Sequence, residues 1–148
     1  ASRSLLHGET LVVPRVSDLE ALAASTIGKL EIETIEEGRD GVVVQQLLKG
    51  AVLETFRAHV AVENLREVVE AFDAELVVNA GEDVRATDYV VLLAQVPALA
   101  PHVVALTGGD ERPEVVASAV EFVLEGLHLS KRLNKEAVGP RSQYRGRS

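Results

Sequence analysis

The chain has 148 residues, a net charge of −8, and no cysteine or methionine. Its apolar fraction of 47% is enough for one domain with a core of Val, Leu and Ala, since aromatic residues make up only 3%. The composition excludes disulfides and thiolate chemistry, and no apolar run is long enough for a transmembrane helix. With an acidic body and no visible signal peptide, we expect a cytoplasmic protein without general nucleic-acid or membrane binding.

The amino-terminal region is predicted to contain helices separated by one extended connector. Residues 1–9 have the pattern of a helix end closed by Gly8. The connector at 10–15 contains a proline, which disfavours helix at the residue before it. A second helix is predicted over 19–25, because a Ser-Asp pair that can cap a helix precedes it.

The next forty residues begin with an ambiguous stretch. Residues 28–38 alternate apolar and acidic positions for a few residues, which favours a loop or short strand that gives way to a helical turn. Residues 41–60 have helical apolar spacing. Gly50 lies inside this segment and predicts a close contact with another helix, since glycine disfavours a helix interior. Beyond it, further helices are predicted over 62–72, 86–96 and 101–106, with a short strand at 76–78.

The longest periodic segment runs from Pro113 to about Lys135. Its apolar residues recur at spacings of four, three and four, which defines one broad apolar face of a helix. The glutamates of this segment are expected to stay largely off that face. A helix of about 22 residues spans roughly 33 Å, so we expect the shorter helices to pack around it. The residues that define the face are Val116, Val120, Val123 and Leu127.

Together these elements predict an all-α or nearly all-α fold. It is a bundle of about six helices around a long carboxy-terminal helix, with one or two short strands. We divide the chain into an amino-terminal helical segment at 1–40, a helical domain at 41–139 and a tail at 140–148. The tail is basic and rich in Gly, Ser and Pro, so we expect it to be disordered. It is interpreted as a solvated terminus, or alternatively as a contact for an acidic surface of a partner or of the body, through Arg141, Arg145 and Arg147.

Several catalytic motifs are absent from the sequence. Gly28-Lys29 is not a phosphate-binding loop, because Ala23 and Leu30 stand where that motif needs Gly and Ser or Thr. No apolar strand ends in paired acids for magnesium, and no two of the four histidines have the spacing of a helical metal pair. The dense acids between 31 and 40 are interpreted as a solvated edge, or alternatively as a site for a divalent cation or a basic partner. We therefore expect no catalytic or metal-ligating residue and no cofactor bound by this chain alone.

Three stretches resemble a known family. They are VPRVSDLEAL at 13–22, STIGKLEIETIEEGRD at 25–40 and EFVLEGLHLSKRLNK at 121–135. They are similar to the carboxy-terminal part of bacterial AAA+ ATPases related to the magnesium-chelatase I subunit. This group includes MoxR-type and sigma-factor-interacting regulators. The resemblance covers the chain from about Leu5 to Arg145.

The resemblance implies that residues 1–40 are the end of the helical lid and that an ATP-binding domain lies upstream. The missing initiator methionine agrees with a fragment cut from a longer chain, or alternatively with a native protein whose initiator was removed before Ala1. Lid arginines in the family can contact nucleotide, and Arg3 or Arg15 would be such residues here. ATP and magnesium are expected for the parent protein, which would form a homo-oligomeric ring. Relatives remodel partners that carry a von Willebrand factor A-type domain, and such a partner is implied by resemblance alone.

Three functions therefore remain open at the level of sequence. The first is a non-catalytic lid and interaction module of a AAA+ remodelling ATPase, inactive by itself. The second is an independent helical adaptor with no link to nucleotide. The third is a small enzyme with an unrecognised acidic site. A phosphate-loop motif encoded upstream would separate the first from the second, and a metal titration would test the third.

Overall fold

The fold combines seven α-helices with a three-stranded sheet in the part of the chain that the structure describes. The structure is a computed structural model that describes the backbone of residues 2–33 and 38–147, and the side chains of residues 5–25 and 41–147. Two short 3-10 turns lie at Val62–Leu65 and Pro97–Leu99. The elements are α1 Ser2–His7, α2 Val16–Glu33, α3 Gly38–His59, α4 Arg66–Asp73, β1 Val77–Gly81, α5 Ala86–Gln95, α6 Ala100–Thr107, α7 Pro113–Leu129, β2 Asn134–Val138 and β3 Arg141–Arg145.

Helix α7 lies at the centre of the fold, which confirms the prediction that the shorter helices pack around it. Helices α3, α5 and α6 pack against it. Its predicted apolar face is buried, with Val120, Val123 and Leu127 at 0% exposure. The prediction of a mostly helical fold is confirmed as well, and the strand predicted at 76–78 corresponds to β1.

The prediction of a disordered tail at 140–148 is wrong, because residues 141–145 form the central strand of the sheet. The strand order is β1-β3-β2, with both pairings antiparallel. Tyr144 pairs with Val78 on one side and with Lys135 on the other, and it is only 2% exposed. Composition predicted disorder because one aromatic residue among Arg, Ser and Gly gives no apolar pattern. Two neighbouring backbones and one buried ring are enough to order the segment.

Helix α7 ends at Leu129 and does not reach Lys135, so the predicted carboxy-terminal boundary is wrong. The Arg132 amide donates to the Leu127 carbonyl at 2.8 Å, and the Lys131 amide donates to the His128 carbonyl at 2.9 Å. These two bonds define a Schellman motif, which stops a helix by turning one residue into the left-handed region. That residue is Lys131, with φ of 58°. The chain then reverses into β2, and Leu133 is buried at the bend.

Replacing Lys131 with glycine is expected to stabilise the protein by about 1 kcal/mol, because a non-glycine residue is strained at positive φ. The Lys131 carbonyl, which accepts a hydrogen bond from Arg147, stays in place. Urea denaturation of Lys131→Gly measures the gain. Arg132→Gly is the matched control, since its φ is not positive, and it should give no gain. Equal effects of the two substitutions would contradict the strain at Lys131.

Helix α2 is longer than the sequence predicted and includes much of the ambiguous stretch. Residues 28–33 continue the helix, whereas 34–37 lie outside the described residues. Helix α3 begins at Gly38, so the boundary at 40/41 falls inside a helix. Gly50 does not mark a close helix contact within this chain, since a Cβ there would meet nothing within 4 Å. The close approach is at Gly126 of α7, against Phe56 of α3.

Candidate functional site

Three glutamates of α7 form a buried polar row on the face opposite its apolar stripe. Glu114, Glu121 and Glu125 are 6%, 2% and 2% exposed, although the sequence predicted them to stay off the buried surface. Their spacings of seven and four place them on one side of a helix. This side faces residues 10–20 and the sheet, so α7 is enclosed on both sides. We call Glu114, Glu121, Glu125 and their partners the α7 polar row.

Glu114 holds the extended connector to the start of α7. Its Oε1 accepts hydrogen bonds from the Thr10 amide at 3.0 Å and from the Thr10 hydroxyl and Leu11 amide at 3.4 Å. A bond from its own amide and these donors hold the pKa of Glu114 below its usual value. The carboxylate is therefore charged in neutral solution. It holds the connector between α1 and α2 against the start of α7.

Glu121 caps α2 from outside that helix. Its Oε2 accepts from the Ser17 amide in the first turn of α2 at 2.9 Å, and its Oε1 accepts from the Tyr89 hydroxyl at 2.6 Å. A carboxylate suits a helix amino terminus, where amides lack intrahelical partners and the dipole is positive. Burial nevertheless raises the pKa of Glu121, against the opposing effect of its Tyr89 and Ser17 donors. The residue joins α2, α5 and α7 at one point.

Arg15 is fully enclosed at the start of α2. Its Nη1 donates to the Val84 carbonyl at 2.8 Å, its Nη2 pairs with Glu9 at 2.7 Å, and its guanidinium lies 5.2 Å from the centre of the Tyr89 ring. Its Nε has no hydrogen-bond partner among the described residues. Contact between Arg15 and a nucleotide stays a prediction, and it would require the guanidinium to leave Glu9 and Val84.

Glu125 anchors the sheet and α2 to α7. Its Oε2 accepts from the Tyr144 hydroxyl at 2.6 Å and from Lys135 Nζ at 2.8 Å. Lys135 also pairs with Glu20 of α2, and its ammonium lies 5.5 Å from the centre of the Tyr144 ring. Burial would lower the pKa of Lys135, but the two carboxylates outweigh it and raise that pKa. One ammonium group thus ties β2 to both α2 and α7.

The α7 polar row uses its charges for internal pairing. Each of the three carboxylates accepts at least two hydrogen bonds from groups of this chain. Buried charges paired in this way are costly to separate, and such networks fix one arrangement of the elements around them. The row therefore fixes the connector, α2 and the sheet on one helix, and it does so through side chains with little exposure to solvent.

Both tyrosines of the chain belong to this row, and they predict a loss of stability at alkaline pH. Burial, together with Glu121 near Tyr89 and Glu125 near Tyr144, raises both pKa values above the ordinary value. In the unfolded chain they ionise from about pH 10, while in the folded chain they stay protonated. The free energy of unfolding should therefore fall above about pH 10, by up to about 1.4 kcal/mol per pH unit for each tyrosine.

An alkaline titration followed by tyrosinate absorbance and circular dichroism measures this effect. The chain has two tyrosines and no tryptophan, so the absorbance reports on Tyr89 and Tyr144 alone. Ionisation should coincide with the loss of helical signal, and Tyr89→Phe should reduce the pH dependence by about half. Tyrosinate absorbance that appears while the helical signal is native would contradict burial of the two hydroxyls.

Of the three arginines predicted to bind a partner, Arg141 and Arg145 are the first and last residues of β3, and Arg147 follows that strand. Arg141 pairs with Asp83 at 2.6 Å, Arg145 pairs with Glu136, and Arg147 Nη1 donates to the Lys131 carbonyl at 2.6 Å. The structure brings them to one sheet but engages each with a group of this chain. Arg3 belongs to α1, and its side chain is outside the described residues. The side chains of the acidic stretch 31–40 are also outside them.

A small cavity lies between α2, α3 and α7. Its volume is about 190 Å³, and aliphatic side chains make up most of its wall. Pockets for small molecules are typically larger, on the order of 300–1,000 Å³. The cavity is therefore a gap in helix packing that suits a single apolar side chain. Its aliphatic lining consists of Val16, Leu19, Ala23, Leu48, Val52 and Leu129.

Large apolar side chains are exposed on α1, α2 and α3. Leu5 and Leu6 of α1 are each 84% exposed, and Leu22 of α2 is 64% exposed. On α3, Leu47 is 68% exposed and Val43 is 49% exposed. Scattered exposed apolar residues are ordinary, but several on one helix face indicate a contact surface. The sequence pattern did not separate these residues from core positions, because both kinds share the helical spacing.

Comparison with known proteins gives no relative for this chain. No family model, no curated protein and no solved structure matches it. Among the described residues, no group of three or more His, Cys, Asp or Glu side chains could hold a metal ion. In the same part of the chain no single helix is long and apolar enough to cross a membrane. The stretches Ala86–Gln95 and Pro97–Thr107 pass that test only together, and they are bent by 108°.

Proposed function

We propose that this chain is a non-catalytic lid and interaction module of a AAA+ remodelling ATPase related to the magnesium-chelatase I subunit. The observation that carries the proposal is α1, whose Leu5 and Leu6 are 84% exposed and make no part of the buried core. A short helix with two exposed leucines has little reason to stay folded alone, since isolated short helices are marginal in water. In the proposal, these leucines pack on the nucleotide-binding domain of the same protein.

The α7 polar row supports this proposal because it fixes the two segments that come after α1. Glu114 sets the path of the connector, and Glu121 sets the start of α2. A lid must transmit the position of one domain to the next. A connector and a start of α2 that are held rigidly on α7 serve that purpose. ATP and magnesium would be bound by the parent's core. Ring assembly and a von Willebrand factor A-type partner belong to the same proposal.

Arg15 is part of this proposal because it lies between the connector and the start of α2. Its guanidinium pairs with Glu9 and with the Val84 carbonyl at the start of α2, and by resemblance it is one of two candidates for a lid arginine that contacts nucleotide. Arg3 is the second such candidate, on α1. Their substitution should lower nucleotide affinity of the parent if either side chain reaches the nucleotide.

The test uses the reading frame extended upstream of Ala1. The extended protein should contain a phosphate loop and hydrolyse ATP, whereas the isolated chain should not. Leu5→Glu with Leu6→Glu should reduce hydrolysis and assembly in the extended protein but leave the melting temperature of the isolated chain unchanged. The matched control is Val91→Glu on α5, which is 57% exposed. An extended frame without a phosphate loop, or hydrolysis indifferent to the leucine substitutions, would overturn the proposal.

The second candidate is an independent helical adaptor without a nucleotide link. The apolar outer face of α3 favours it, because Leu47 and Val43 are exposed there without help from α1. An adaptor would keep its partner binding in the isolated chain when Leu5 and Leu6 are replaced. The same pair of substitutions therefore separates the two functions.

A further inference from the structure

Strand β1 is one of the two edge strands of the sheet, because the strand order is β1-β3-β2. In an antiparallel pair, successive residues direct their backbone groups alternately towards the partner strand and away from it. The Gly81 amide donates to the Tyr89 hydroxyl at 3.4 Å, so it points away from β3. Asn79 and Val77 precede it at spacings of two residues, and their amides and carbonyls therefore face the free edge.

The hairpin of β2 and β3 gives the same assignment independently. Val138 and Arg141 flank its two-residue turn, and residues in that position bond each other. By alternation along β3, Tyr144 then bonds to β1 and not to β2, and its partner there is Val78. Val78 is therefore bonded within the sheet, while the residues on either side of it face the free edge.

The backbone groups along this edge are unpaired. The amides and carbonyls of Val77 and Asn79 have no hydrogen-bond partner within the described part of the chain. Edge strands of natural proteins are commonly protected by charged residues or proline. The other edge strand, β2, carries Lys135 and Glu136, whereas β1 has neither a charge nor a proline. Donors and acceptors that repeat every second residue match an added strand, because an extended backbone presents its own groups with the same spacing.

A groove lies beside the free edge, between β1 and α5. Its volume is about 240 Å³, and residues 77–79 of β1 line it together with Tyr89 and Leu92 of α5. Helix α5 packs mainly on α7, which leaves this space next to the strand. The exposed part of the wall is polar and includes Asp88 and Gln95, which lie seven residues apart on one side of α5. An added strand thus has β1 on one side and a polar helix face on the other.

The surroundings of the groove are acidic. Residues 73–95, which include β1 and α5, contain five acids and one base. Arg141 also lines the groove, but it pairs with Asp83 at 2.6 Å. Asp88 accepts a hydrogen bond from the Arg85 amide at 3.3 Å and forms no ion pair with a described residue. An acidic groove favours a basic occupant, both during the encounter and in the bound state.

We propose that the free edge of β1 binds an extended basic segment of a partner protein, which adds to the sheet as a fourth strand. Backbone bonds to Val77 and Asn79 hold the segment, and a lysine or arginine of the segment meets Asp88 in the groove. In this mode of recognition the main chain provides affinity and alternate side chains provide specificity. The inference does not depend on the proposed function, because it needs neither α1 nor a nucleotide-binding domain.

Amide hydrogen exchange of the full chain, followed by NMR, tests the pairing directly. The probe is a short peptide with blocked ends in which arginine alternates with valine, and the matched peptide has glutamate in place of arginine. The Val77 and Asn79 amides should exchange rapidly in the free chain and at least about tenfold more slowly with saturating arginine peptide. The glutamate peptide should not slow them. Amides that are protected in the free chain, that the arginine peptide leaves unchanged, or that both peptides slow equally would overturn the proposal.

Proline substitution tests the edge by removing one donor. Asn79→Pro removes an amide that faces the free edge, so the bonds between β1 and β3 stay intact. Titration calorimetry should show the affinity for the arginine peptide reduced by at least about tenfold. The matched control is Ala137→Pro, because the Ala137 amide faces the free edge of β2 by the same alternation, and this variant should bind as the unchanged chain does. Equal affinity of the two variants would reject β1 as the binding edge.

Asp88→Asn tests the groove wall without touching the sheet. Asparagine keeps an acceptor for the Arg85 amide but removes the charge, so circular dichroism should stay native. The affinity for the arginine peptide should fall by at least about threefold and depend less on salt. Glu67→Gln, at an exposed acid of α4, is the matched control and should change neither quantity. An Asp88→Asn variant that binds like Glu67→Gln would overturn the contact in the groove. Failure of these tests leaves the lid proposal untouched, since that proposal is tested through Leu5, Leu6 and ATP hydrolysis.

Discussion

Deletion of residues 140–148 is expected to unfold the protein. It removes β3, which is the central strand, so β1 and β2 lose their shared partner. It also removes Tyr144, whose ring is buried and whose hydroxyl donates to Glu125 at 2.6 Å. Burial of such a ring is worth about 2–3 kcal/mol, and a hydrogen bond to a charged group about 1.5–3 kcal/mol. With the lost strand pairing, the total approaches the ~5–15 kcal/mol that holds a typical domain folded.

Circular dichroism and urea denaturation of the truncated chain measure this loss. The control replaces Arg141, Arg145 and Arg147 with alanine in the full chain. Their pairs are exposed, and such pairs contribute about 0–1 kcal/mol each, so the control should remain folded. Tyr144→Phe should fall between the two, since it keeps the ring and loses only the hydroxyl. A truncated chain with a native melting temperature would show that the sheet contributes little to stability.

The helices of this fold could be predicted from the sequence because they obey local rules. The apolar spacing of Val116, Val120, Val123 and Leu127 depends only on helix geometry, and their burial is confirmed. Pro113 and Pro97 mark helix boundaries through the missing amide. The end of α7 was not predictable in the same way. It depends on Lys131 entering the left-handed region, which no residue type at that position signals.

The sheet and the α7 polar row could not be predicted because they depend on contacts between distant residues. Tyr144 and Glu125 are 19 residues apart, and Glu121 and Ser17 are 104 apart. An acid on a helix is expected to face solvent unless a donor from elsewhere reaches it. The available signal was that two acids four residues apart stand in the middle of an otherwise apolar helix. That signal indicates a network but does not identify its partners.

The two candidate functions, a lid module and an adaptor, depend on the same physical distinction. Some side chains are satisfied by contacts within the chain, and others are left exposed. The buried charges of α7 are matched within the chain, so they stabilise one arrangement of the connector, α2 and the sheet. The exposed leucines of α1 and α3 are unmatched within the described residues. Apolar area that folding does not bury remains available for association. Function in this chain is therefore expected at Leu5, Leu6 and Leu47, while the carboxylates hold those surfaces in place.

Placing any side chain at Gly126 is expected to separate α3 from α7. A Cβ at this position would lie 2.1 Å from Phe56 Cδ2, far inside van der Waals contact. The Phe56 ring cannot move aside freely, because it packs edge-on against Phe122 at 5.8 Å between centroids. Overpacking of a core costs about 1–3 kcal/mol and occasionally more, whereas alanine gains only about 1 kcal/mol in helix propensity. We therefore expect a net loss of up to about 2 kcal/mol for Gly126→Ala and a larger loss for Gly126→Val.

Gly50 provides the matched control, because it is the same residue type in a helix interior but with open space around it. Gly50→Ala should stabilise the chain by about 1 kcal/mol through helix propensity alone. The difference between the two alanine variants in urea denaturation then isolates the clash with Phe56. Adding Phe56→Leu to Gly126→Ala should recover part of the loss, since the smaller side chain vacates the ring position, and a double-mutant cycle measures that coupling. Equal stability of Gly50→Ala and Gly126→Ala would mean that α3 does not approach α7 at Gly126 in solution, and that the packing of α3 on the core is looser than the structure indicates.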